Sequence, residues 1–266
     1  WEEIISQELD PNFDHNYQSF RQITILENKY INFEGLNLSW ETIDGLIKHN
    51  GPIFNTSNNY NLSDSFYFDL SQNPSLEAQI ASLSDDIAYI AHDIDDGLRS
   101  EILTINELSD LENLFNFVDF NYLKGLENKV ARNYFTRSII NYLVLDLLKE
   151  TEIQLNQNKL KSYEDIIKHP SFLVKFSSQI AEKVNQIKSY LYENFYTSEF
   201  VYKSRSDAEK ILVFIIKFLE NNISELPDSW IRKITNEQSK KQTIVDYICG
   251  MTDQYAINFY NHYAWS

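Results

Sequence analysis

Apolar side chains recur along much of this chain at steps of three and four, the repeat that turns one face of an α-helix toward a core. The clearest run opens at Ser75 and passes through Leu76, Ile80, Leu83, Ile87, Ile90, Ile94 and Leu98. That is a stripe of about six turns. Phe20, Ile23 and Leu26 keep the same rhythm and predict a helix between Phe13 and Glu27, opening near Asp14-His15-Asn16. Ser39 stands ahead of Trp40-Glu41-Thr42 with a hydroxyl N-cap, an acidic first turn and apolar Ile43, Leu46 and Ile47, a short helix that Asn50-Gly51-Pro52 should end. Thr104 with Glu107 reads as a capping box. Longer helices are predicted over Gly125–Glu152, Ser171–Asn194, Ser206–Asn221 and Lys240–Tyr263, with breaks at Asn156-Gln157-Asn158, His169-Pro170 and Pro227-Asp228. Between Gly51 and Pro74 there is no period, only Asn, Ser and aromatics, which predicts a long loop. The expected fold is all-α, with a weak boundary near residue 105 between residues 1–105 and a helical region over 106–266.

Composition narrows the picture. The 266 residues fit one large domain or two packed ones, at about 150 residues per domain. Only six Gly and five Pro argue against a turn-rich β protein. With 39 acidic residues against 23 basic ones the net charge is −16, which repels phosphate backbones, so nucleic-acid binding is not expected as the main function. The longest apolar stretch, Ile211 to Leu219, is interrupted by Lys217 and is about half of a membrane span. The opening residues carry neither a secretory nor a transit pattern, and a lone Cys allows no internal disulfide, so a cytoplasmic address is expected.

Candidate chemistry lies on the strongest helix. Asp85, Tyr89, Asp93 and Asp96 fall within roughly 80° of one another, opposite Leu83, Ile87 and Ile94. Two readings stay open at this point: a polar face turned to water, or oxygen donors aimed into a cleft, where a hard divalent cation or a sugar hydroxyl would need them. Of the five histidines, His15, His49, His92, His169 and His262, none pairs with another at helical spacing, so a two-His helix site is absent. His92 diverges from Asp93 by about 100° on a helix and reads as a surface residue or one that supports a ligand from behind. His49 suits a helix C-terminus, and Cys249 reads as a small core residue. No P-loop, dinucleotide-binding glycine pattern or nucleophile elbow occurs.

Six strings in order carry a family resemblance: Phe13-Asp14-His15-Asn16-Tyr17-Gln18-Ser19-Phe20-Arg21, Glu34-Gly35-Leu36-Asn37-Leu38-Ser39-Trp40-Glu41-Thr42, Leu46-Ile47-Lys48-His49-Asn50-Gly51-Pro52, Ser75-Leu76-Glu77-Ala78-Gln79-Ile80, Asp85-Asp86-Ile87-Ala88-Tyr89 through Asp93-Ile94-Asp95-Asp96-Gly97, and Asp246-Tyr247-Ile248-Cys249-Gly250-Met251-Thr252-Asp253. Together they resemble the bacterial deoxyguanosine triphosphate triphosphohydrolases and related deoxynucleotide triphosphohydrolases of the HD-domain superfamily, over essentially the whole chain. The resemblance implies a helical fold in which residues 1–105 form part of an HD-domain core, with the substrate and metal helix over 75–100. It implies hydrolysis of a deoxynucleoside triphosphate, dGTP first, to deoxynucleoside and triphosphate with Mn²⁺ or Mg²⁺, and a homo-oligomeric assembly. By the same resemblance Asp85 matches the last metal ligand, Tyr89 and Asp93 match residues that contact the deoxyribose and its 3′-hydroxyl, and His15 lines the α-phosphate side. Lys48, Arg132 and Arg137 are weaker candidates for phosphate contacts.

The pattern also departs from the family. Its first metal His, its His-Asp pair and the catalytic residues after that pair belong ahead of the segment matching Phe13 to Arg21, where this chain has twelve residues and no His. Gln254 stands where relatives usually carry Arg. With one ligand of four, the expectation is a chain that does not hydrolyse deoxynucleotides efficiently alone: a portion of a longer enzyme, or a non-catalytic helical partner of an intact one. An HD-type phosphohydrolase acting on another phosphate ester is a further alternative.

Overall fold

A computed structural model describes residues 2–56, 58, 60 and 68–264. These residues build thirteen α-helices, two π-helical turns and a 3-10 turn, and the only bridge among them is an isolated one between Asn28 and Gly35. The fold is all-α. It divides into two compact units, one of Lys48–Asn55 and Asp69–Tyr202, the other of Trp1–Ile47, Thr56–Phe68 and Lys203–Ser266. Residue 105 lies inside the first, at the start of a helix.

In the first unit the expected stripe forms the helix α4 (Leu76–Arg99), capped by Ser75, whose hydroxyl accepts from the Ala78 amide at 3.2 Å. Its buried Ile87, Ile90, Ala91 and Ile94 pack with Phe135, Ile139, Leu143 and Leu147 of α7 (Asn128–Asn158) and Ile180, Val184, Ile187 and Leu191 of α9 (Ser178–Leu191). Each of these side chains larger than Ala91 contributes about 1.5–3 kcal/mol by leaving water. The capping box of Thr104 and Glu107 opens α5 (Ile105–Asp110) as expected. Gly51 ends the turn after Lys48 at φ +104, a backbone state that L side chains rarely adopt.

In the second unit α1 (Glu2–Glu8), α2 (His15–Arg21), α3 (Trp40–Ile47), α11 (Asp228–Ile231), α12 (Glu237–Cys249) and α13 (Asp253–Tyr263) join the C-terminal part of α10 (Glu199–Asn221). Ile5, Leu9, Leu212, Ile215, Ile216, Leu219, Ile244, Val245 and Ile248 form its core. Asp14 N-caps α2 by accepting from the Asn16 and Tyr17 amides, and a π-helical turn over Gln22–Leu26 continues it, close to the predicted span.

Several predicted boundaries move. The helix expected from Ser171 begins at Ser178, because side chains take the preceding amides: Gln79 Oε1 accepts from Leu173 and Val174 at 2.9 and 3.2 Å, and Asp146 accepts from the Ser177 amide and hydroxyl. The helix expected from Ser206 begins at Glu199, since its first two turns are solvated and carry no apolar repeat to read. The single helix predicted over Lys240–Tyr263 is two, parted after Cys249, where the Thr252 hydroxyl accepts from the Tyr255 amide and starts α13. The helix predicted over Gly125–Glu152 runs to Asn158 and stops where Lys159 adopts a left-handed conformation at φ 53. Short α1, α6 (Phe120–Leu123) and α8 (Tyr163–Ile167) had too few turns to show a period. Of the predicted loop over 51–74, residues 57, 59 and 61–67 lie outside the described residues, and the others form no helix.

Candidate functional site

The polar stripe of α4 is real and graded along its length. Asp85, at its N-terminal end, has 75% of its side chain exposed, and His49 Nε2 stands 3.8 Å from its Oδ2. The turn that carries His49 is fastened to the same helix one turn earlier, where the Ser82 hydroxyl donates to the His49 carbonyl at 2.8 Å. His49 is thus placed by its backbone, which explains how a residue outside the helix reaches Asp85. Among the described residues no group of three His, Cys, Asp or Glu side chains comes close enough together to hold a metal ion. Asp85 with His49 offers two donors, too few for a divalent cation that takes six or more oxygens or an octahedral shell.

One turn on, the Tyr89 ring is 56% exposed. A further turn on, Asp93 is half-buried and accepts a hydrogen bond at Oδ2 from the Tyr196 hydroxyl. The Tyr89 and Tyr196 rings are near-parallel at 27°, with centroids 6.4 Å apart. Burial pushes the Asp93 carboxyl above the usual carboxylate range, opposed by the Tyr196 hydrogen bond. Burial, then hydrogen bonds to Asp93 and Tyr89, push the Tyr196 phenol far upward, so it stays protonated and donates. Asp96 pairs with Arg99 at the exposed end of the stripe, and of the two readings of His92 the structure shows the surface one, since it is exposed.

The remaining candidates have contacts of their own. Lys48 is 3% exposed, follows α3 and contributes to lowering the carboxyl of Asp69, whose main cause is a hydrogen bond from Ser71. Arg132 is turned to Asp95: its Nε stands 2.9 Å from the carboxylate, without the angle of a hydrogen bond. Arg137 is exposed on α7. His15 belongs to the other unit and pairs through Nδ1 with Glu2 at 2.7 Å. Cys249 is partly buried, and burial pushes its thiol up to about 11.

Tyr196 is the residue that reading the sequence missed. The apolar positions Ile180, Val184, Ile187, Leu191 and Phe195 mark the buried face of α9 and its extension, and Tyr196 reads as one aromatic among Tyr190, Tyr192 and Phe195. Its partner is 103 residues away. A π-helical turn over Tyr192–Tyr196 widens the end of α9, and such turns recur at functional positions. No helix among the described residues is long and apolar enough to cross a membrane.

Residues 174–262 match a family described as a phosphohydrolase-associated domain. The chain is 35% identical over 256 residues to the deoxyguanosinetriphosphate triphosphohydrolase-like protein of Rickettsia prowazekii, covering 94% of this chain and 67% of that protein. It is 35% identical over 250 residues to the protein of the same description from a Bradyrhizobium species, with 92% and 64% covered. For that of Bartonella henselae the figures are 34% over 278 residues, with 98% and 69% covered. The chain spans about two thirds of the length of these curated relatives.

Proposed function

The chain belongs to the deoxyguanosinetriphosphate triphosphohydrolase-like proteins, a family of HD-superfamily phosphohydrolases, and from that premise we propose that its α4 stripe binds a deoxynucleoside triphosphate, dGTP first, through the sugar. The observation that carries this reading is the Tyr89–Asp93 pair: an exposed ring one turn from a half-buried carboxylate that a phenol already holds. A carboxylate in that setting accepts a hydroxyl proton strongly, because the bond is charge-assisted and partly shielded from water. The Tyr89 ring offers apolar surface to the sugar carbons, which favours a deoxyribose over a ribose whose 2′-hydroxyl would lose water against it. Lys48, Arg132 and Arg137 remain weaker candidates for the phosphates, and His15 for the α-phosphate side.

In the complete reaction a water or hydroxide attacks the α-phosphorus, the bond to the 5′ oxygen breaks, and deoxynucleoside and triphosphate leave. A divalent cation, Mn²⁺ or Mg²⁺, supplies charge neutralisation at the phosphorus when bound. Asp85 is the ligand this chain contributes, and the donors beside it do not complete a shell. No hydrolytic step is therefore assigned to these residues, and the chain by itself is proposed to bind nucleotide without efficient turnover.

The test is calorimetric titration of the chain with dGTP and GTP, followed by product analysis of dGTP incubated with Mn²⁺. The expected result is preference for dGTP over GTP, with the affinity for dGTP lowered by about tenfold or more in Asp93→Ala, the size of one hydrogen bond to a charged group. Affinity unchanged in both Tyr89→Phe and Asp93→Ala would sink the sugar reading. Release of deoxyguanosine and triphosphate that Asp85→Ala abolishes would show instead that the chain is a sufficient enzyme.

A further inference from the structure

Asp93 accepts at Oδ2 from Tyr196, and its Oδ1 has no donor among the described residues. A carboxylate has a broad torsion about its last bond, so one fixed donor decides where the second oxygen sits. The donor here is itself fixed. Phe195, next to it, is buried in the core of the first unit, and the π-helical turn that contains both residues closes with the Thr197 amide donating to the Phe195 carbonyl. The Tyr196 ring lies beside that of Tyr89, so one side chain touches both members of the proposed sugar pair. It also lies within residues 174–262, the phosphohydrolase-associated segment, whereas the stripe it touches does not.

We propose that Tyr196 is a positioning residue for the nucleotide sugar: its hydroxyl holds Asp93 Oδ2 so that Oδ1 is the acceptor for the 3′-hydroxyl, and its ring backs Tyr89 as the wall on which the sugar rests. This inference rests on the sugar-binding reading above and gives the phosphohydrolase-associated segment a share in substrate selection. It follows that a substrate without a 3′-hydroxyl gains nothing from Tyr196.

The experiment compares binding of dGTP and 2′,3′-dideoxy-GTP to the full chain and to Tyr196→Phe, which keeps the ring and removes the hydroxyl. The native chain is expected to prefer dGTP by about tenfold or more. In Tyr196→Phe that ratio is expected to fall to about threefold or less, with dideoxy affinity kept within about twofold. A ratio unchanged in Tyr196→Phe overturns the proposal. A second measurement needs no nucleotide: the carboxyl ¹³C signal of Asp93 is followed against pH in both proteins. Removal of the phenol should move the Asp93 titration to higher pH, because the hydrogen bond it supplies favours the charged form. An unmoved titration overturns the positioning role. If the native chain binds both nucleotides equally, the sugar reading falls, and the titration alone decides whether Tyr196 positions Asp93.

Discussion

Asp246 and Asp93 are both carboxylates drawn out of water, one in each unit, and they are finished in opposite ways. Asp246 is 3% exposed and its oxygens are saturated. Oδ1 accepts from Gln18 at 3.0 Å, Arg21 Nε at 3.1 Å and Gln242 at 2.9 Å, and Oδ2 accepts from Arg21 Nη2 at 2.6 Å. Asp93 is half-buried, has one donor and keeps an oxygen unclaimed among the described residues. The first arrangement cross-links α2 to α12 and leaves nothing for a ligand to bond. The second withdraws a charge partway and leaves it an acceptor. Burial of a carboxylate is therefore a poor sign of function by itself, and the number of donors it has already taken is a better one.

The comparison breaks first at Asp246. Asp246→Ala strands the Arg21 guanidinium and two amides in a buried place and is expected to cost about 3–5 kcal/mol in urea denaturation, as removal of one partner of a buried ion pair does. A loss under about 1 kcal/mol would mean that water replaces the carboxylate and that saturation does not mark a structural role. Gln79 extends the test to a neutral group: 2% exposed, it accepts from Leu173 and Val174 and donates to the Pro74 carbonyl at 3.0 Å. Gln79→Ala orphans two buried amides and is expected to cost about 2–3 kcal/mol, with faster hydrogen exchange at Leu173 and Val174 as the local readout.

The two carboxylates were unequally legible. Asp93 stood out in the sequence, because one helix with a clean apolar stripe fixes which residues share its opposite face. The helices, the Thr104 capping box and the all-α class were readable for the same reason: local spacing and local caps decide them. Asp246 falls within a family string, but its partner Arg21 is 225 residues away, and no period links them. Tyr196 and His49 were missed as partners of the stripe on the same ground, since each reaches it through tertiary packing. The start of α9 was misplaced because side chains of Gln79 and Asp146, distant in sequence, hold the amides ahead of it. What could be read was periodic; what could not was a donor meeting an acceptor across the fold.

The smallest effect is the sharpest test of the contrast. Because burial raises the Asp93 carboxyl above its unfolded value of about 3.9, the folded protein holds that proton more tightly than the unfolded chain does. The stabilising contribution is therefore present below the unfolded value and is lost as pH rises through the folded one, so at neutral pH a charged Asp93 is a cost. Asp93→Asn removes that cost and keeps an oxygen to accept from Tyr196. It is expected to stabilise the protein at neutral pH, within about 0.5 kcal/mol, and the gain should shrink as urea curves are repeated toward about pH 4. Asp246→Asn, in contrast, should destabilise at neutral pH, because an amide replaces one of two oxygens that Arg21 grips. If both substitutions destabilise alike, Asp93 is a structural carboxylate of the same kind as Asp246, and the acceptor left open on α4 loses its claim to a sugar.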